Sequence, residues 1–76
     1  MDPHSEIERA ETAHTIRLAL DELTTEQRPA VVLREIEGMS YKEIAGITGC
    51  TQGTVMSRLH YGRKRLQERL KPFLQR

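Results

Sequence analysis

The sequence predicts an all-α fold, a small four-helix domain, on three observations. Apolar residues recur at steps of three and four along most of the chain. Helix-favouring Glu, Lys, Arg, Leu and Ala are abundant. No segment alternates apolar and polar residues for long enough to make a strand. At 76 residues, about half a typical domain, the chain has room for one core and excludes a second. With 37% apolar and 30% charged residues, no Trp and one Phe, that core is thin. Folding at this size buries only about 60% of the extended chain's surface, and neither a disulfide pair nor a Cys/His cluster staples it. Packed helices or a partner must hold it.

Residues 1–5 show no periodicity and read as a frayed tail. Beyond Glu6, the spacing of Ala13, Ile16, Leu20 and Leu23 predicts the first helix. Thr24 with Gln27 fits a capping box, and Pro29, Val32, Leu33 and Ile36 then form one stripe of a second helix. Pro29 is tolerated there only if the helix begins no earlier than about Thr24. Gly38 suits the left-handed residue that ends a helix. Ser40 with Glu43 makes another capping box, and Met39 with Ile44 a hydrophobic staple across it. The third helix, about nine residues long, turns Ile44, Ala45, Ile47 and Thr48 inward and stops at Gly49. Thr51 is the expected N-cap of the fourth helix, with Cys50 facing Val55. Val55, Leu59, Gly62, Leu66 and Leu70 carry that helix to just before Pro72, with Phe73 and Leu74 left open between packing and fraying.

A net charge of +1 conceals a strong polarity. Up to Met56 there are five basic residues against ten acidic ones; from Ser57 to Arg76 there are seven basic residues against Glu68 alone. Such a basic segment suits phosphates, and equally a solvated helix end whose cations favour the macrodipole. A short capped helix, a tight turn containing Gly and a longer basic helix are the parts of a helix-turn-helix, although an ordinary helical hairpin shares the pattern. In that unit the second helix enters the major groove. Ala45 would allow the helices to cross closely, Gly49 the turn, and Val55 would plug the angle. With Val55 inward, Gly53, Ser57, His60, Tyr61 and Lys64 point outward, Thr54 and Met56 lie on the flanks, and Arg58, Arg63 and Arg65 on the shoulders. Ser57, His60 and Tyr61 suit base edges, Lys64 and the arginines suit phosphates, and Gly53 leaves the first-turn N–H groups open to a phosphate. Taken singly, each has a plain structural role as well: Gly53 and Gly62 as helix defects, Tyr61 as a cover for the core, Arg58 as a snorkelling stem.

Three stretches, Leu23 to Arg28, LREIEGMSYKEIAGITGC from Leu33 to Cys50, and GTVMSRLHYGRKRL from Gly53 to Leu66, closely resemble region 4 of extracytoplasmic-function sigma factors. The resemblance covers roughly residues 16 to 70. It implies a four-helix domain that recognises the promoter minus-35 element, docks on the flap of the RNA polymerase β subunit and is often masked by an anti-sigma factor, in the cytoplasm. By position it places Thr54, Met56, Ser57, His60 and Tyr61 at DNA bases or nearby backbone, and Arg34, Tyr41 and Lys42 at a phosphate. Where this chain has Met56 and Tyr61, the family usually carries a cation, so an arginine-to-guanine contact gives way to weak autonomous binding or to apolar contact with thymine methyls. Family members carry an upstream region 2, so the chain reads as a fragment, with residues 1–11 as linker and 12–76 as the domain.

Other chemistries find little support. The sequence has no Gly-rich phosphate loop, no HExxH motif and no nucleophile spaced to a base, so no enzyme activity is expected. His4, His14 and His60 are scattered and Cys50 reads as a small buried hydrophobe, so no metal or cofactor is expected. Glu35 and Glu37 lie on different helix faces and read as solvated. No apolar run approaches the roughly 18 residues of a membrane span. The competing readings are the DNA-binding domain of a two-component response regulator, and a module used mainly to bind an anti-sigma factor.

Overall fold

In the computed structural model the described residues are 3–74, the side chain of Leu74 excepted. They form α1 (Pro3–Asp21), α2 (Gln27–Val31) continued by a π-helical turn (Val32–Ile36), α3 (Tyr41–Thr48) and α4 (Gln52–Leu74). The helix boundaries follow local chemistry. The Thr24 hydroxyl accepts from the Gln27 N–H at 3.0 Å while the Thr24 N–H donates to Gln27 Oε1 at 3.2 Å. Ser40 and Glu43 close the same reciprocal box at 3.1 and 3.0 Å. The Thr51 hydroxyl accepts from the Thr54 N–H at 3.1 Å and so caps α4. Gly38 and Gly49 both stand in the left-handed region, at φ of 70° and 69°, where a Cβ is strained. All of these are positions the sequence marks.

The buried core is Leu23, Ala30, Val31, Ile44, Val55 and Leu59, with Leu20, Leu33, Met39, Tyr41, Ala45, Cys50 and Leu66 packed on it. α2 and α3 both pack on α4, and α1 lies along its C-terminal half. Gly62 is buried, and a Cβ there would lie 2.8 Å from Val31 Cγ2, so α2 crosses α4 where α4 presents a buried glycine and no side chain.

Several expectations change. α1 begins at Pro3, well before the residues assigned to its start, so the described part of the segment read as tail and linker is helical. Ala19 is its only fully buried residue among those described. Ala13 is exposed, and Ile16 is 38% exposed, because α1 meets Arg69 and Phe73 of α4 through Thr15 and Leu18 and turns Ile16 away from them. The stripe on α2 is rotated: Ala30 and Val31 are buried, whereas Pro29 and Ile36 are exposed, since the close approach at Gly62 selects the face and the π turn shifts the register beyond it. Ile47 is exposed rather than inward, because Ile44, Ala45 and Thr48 already cover the side of α3 that meets the core. α4 continues through Pro72, whose missing N–H frees only the carbonyl of exposed Glu68 near the helix end.

Candidate nucleic-acid interface

The candidate interface is the outer side of α4 together with the start of α3. The Schellman-type turn between them positions both: the N–H groups of Gly49 and Cys50 bond to the Ala45 carbonyl, the latter at 3.1 Å. Val55 and Leu59 are 0% and 1% exposed and face the core. Their opposite side carries Gly53, Met56, Ser57, His60, Tyr61 and Lys64, all exposed. Thr54 is half-buried, and its hydroxyl accepts from that of Thr51 at 3.0 Å. A shallow groove lined by Tyr41, Met56, His60, Arg63 and Lys64 joins the first residue of α3 to this face. His60 and Tyr61 meet edge to face, with ring centroids 5.0 Å apart and planes at 82°.

The cations divide into held and free. Arg34 is half-buried, donates from Nη1 to the Met39 carbonyl at 2.7 Å and lies 5.0 Å over the Tyr41 ring, which is itself half-buried against the core. Arg58 is half-buried, with Nη1 3.5 Å from Cys50 Sγ. Arg63 donates from Nε to Glu35, so Glu35 is part of an ion pair and not merely solvated. That hydrogen bond raises the Arg63 pKa, and the guanidinium stays charged at any working pH. Arg65 donates to the Glu22 carbonyl at 3.3 Å and Arg69 pairs with the Glu22 carboxylate at 2.8 Å. Lys42 and Lys64 stand exposed, with no recorded partner among the described residues. Cys50 is half-buried and contacts the Thr48 hydroxyl at 3.2 Å.

Sequence reasoning passed over three features. Arg28 bonds to the carbonyls of Leu20, Asp21 and Leu23 at 3.0, 3.1 and 3.3 Å and closes the end of α1. Its only sequence signal was a basic residue shortly beyond a helix C-terminus. The Glu35–Arg63 pair spans 28 residues and has no local signal. Gln52, the first residue of α4, is exposed beside the reading face, and its position at the helix start could have marked it.

A short capped helix, a glycine turn and a long helix with a free basic side make a helix-turn-helix module. The chain belongs to the sigma-70 region 4 family, whose model, described as Sigma-70, region 4, matches residues 13–66. It is 51% identical over 55 residues to the ECF RNA polymerase sigma factor SigE of Mycolicibacterium smegmatis, covering 72% of this chain and 21% of that protein. It is 36% identical over 72 residues to the RNA polymerase sigma-H factor of Pseudomonas aeruginosa, covering 95% of this chain and 37% of the relative. Over 57 residues it is 39% identical to the ECF RNA polymerase sigma-E factor of Escherichia coli, covering 75% and 30%. The chain therefore spans between about a fifth and two fifths of the length of these curated relatives. The match is to region 4 of sigma factors, and a response-regulator domain is not favoured.

Proposed function

We propose that this chain is the part of a sigma factor that binds the promoter minus-35 element and the flap of the RNA polymerase β subunit, and so helps direct transcription initiation in the cytoplasm. The observation that carries the reading is the orientation of α4: Val55 and Leu59 turn inward while Ser57, His60 and Lys64 face solvent. With α4 in the major groove, Ser57, His60 and Tyr61 reach base edges, and Met56 offers an apolar contact. The first-turn N–H group at Gly53 takes a phosphate, and Lys64 and Lys42 take others. Arg34 and Tyr41 flank the groove at the backbone, while Arg58 and Arg63 add positive field from their held positions. Exposed Ile36 and Ile47 give the flap or an anti-sigma factor apolar purchase away from the reading face.

The test is a titration of the chain with a minus-35 duplex at several salt concentrations. Each phosphate contact contributes about 0.9 to the slope of log K against log salt. Lys64→Ala is expected to lower the slope by about that amount; an unchanged slope means that Lys64 does not touch DNA. Parallel titrations with the isolated flap and with an anti-sigma factor separate protein docking from DNA binding. Tight protein binding with no duplex binding at any salt would favour the interaction-module reading.

A further inference from the structure

Base preference depends on which side chains leave the first turns of α4 toward a groove, because these are the residues that meet base edges in a helix-turn-helix. Gln52, Met56 and His60 follow at steps of four and form one ridge, with Ser57 and Tyr61 on the next. All five are exposed, and Met56 and Tyr61 are 55% and 59% exposed. Guanine is read by forked donors on O6 and N7, most often from arginine. No such fork leaves this face. Arg58 is turned to Cys50, and Arg63 is engaged by Glu35. Lys64 is about three turns beyond Gln52, away from the end that enters the groove. The His60 ring has no forked pair of donors on one edge. The apolar group that a major groove presents is the thymine C5-methyl, and Met56 holds a flexible, polarizable side chain in water where such a methyl can cover it. Gln52 carries the amide that pairs bidentately with adenine N6 and N7.

We infer that α4 selects A·T base pairs, with Met56 packing on thymine methyls and Gln52 facing adenine. The inference rests on the DNA-binding function proposed above and adds the base class that the site takes.

The test is selection from a random-sequence duplex pool by the chain, followed by binding of the selected duplex with deoxyuridine in place of thymidine. Deoxyuridine keeps every hydrogen bond and removes only the methyl. The selected positions are expected to be A·T pairs, and each methyl lost from the Met56 contact to weaken binding about fourfold, the worth of one buried carbon. Met56→Ala, at an exposed position where circular dichroism can verify an intact helix content, is expected to bind the two duplexes alike. Guanine at the selected positions, equal binding of the two duplexes by the unmodified chain, or a Met56→Ala chain that still discriminates would each overturn the inference. Failure of any duplex to enrich overturns DNA binding by the chain itself, a different result from a wrong base preference.

Discussion

Arg28 shows what one side chain does for a chain with so thin a core. Its planar fork bonds to three carbonyls at and just beyond the end of α1, and the Leu20 carbonyl also accepts from the Leu23 N–H. Arg28→Ala is expected to cost about 2 kcal/mol in denaturant unfolding, and Arg28→Lys most of that, since an ammonium cannot span the same carbonyls. Gly62 acts by having no side chain. A Cβ at 2.8 Å from Val31 Cγ2 forces a shift, and overpacking of about 1–3 kcal/mol outweighs the helix propensity of about 1 kcal/mol that Gly62→Ala adds. The single variant should lose stability, and Val31→Ala in that background should cost less than Val31→Ala alone. If the two costs simply add, the close approach is not what Gly62 is for.

At the scale of elements, caps and cross-helix pairs have different reach. The Ser40 N–H, and then its side chain, hold the Glu43 carboxyl below the usual carboxylate range. A carboxylate depressed in the folded state stabilises fully above its unfolded value, near pH 4.3, and the contribution disappears as pH falls through the folded pKa. The stability advantage over Glu43→Gln should therefore shrink on acidification below about pH 4, measured by thermal unfolding across pH. Such caps were legible in the sequence because they are completed within four residues. The stripe on α2 was not: its register answers to Gly62 on another helix, and Val32–Ile36 widen into a π turn. The Glu35–Arg63 pair joins that π turn to α4, with both side chains near half exposure. A double-mutant cycle with Glu35→Gln and Arg63→Gln should give a coupling of roughly 0.2–1 kcal/mol that fades with salt.

For the whole molecule, the layout separates folding from reading. The core lies where α2, α3 and the first half of α4 meet, while the described residues reach 44 Å along their longest axis because α1 runs on past them. Removing residues 1–10 should leave the unfolding midpoint nearly unchanged, because no described residue there is buried. Loss of cooperative unfolding would place core contacts in that segment. The net charge of +1 says little about association, since the acidic body and basic α4 nearly cancel. In the proposed function a duplex meets the basic side, where Lys64 is free, and that local field sets the salt dependence.

Helix number, the capped starts at Thr24, Ser40 and Thr51, the stops at Gly38 and Gly49, and the inward set of Val55 and Leu59 were determined by the sequence alone. Each depends on groups within a few residues or on the period of a single helix. Which cations are held by intramolecular partners was decided only by the tertiary structure. Arg63 is claimed by a carboxylate 28 residues away and Arg65 by a carbonyl 43 residues away, and such partners become neighbours only when the chain has folded.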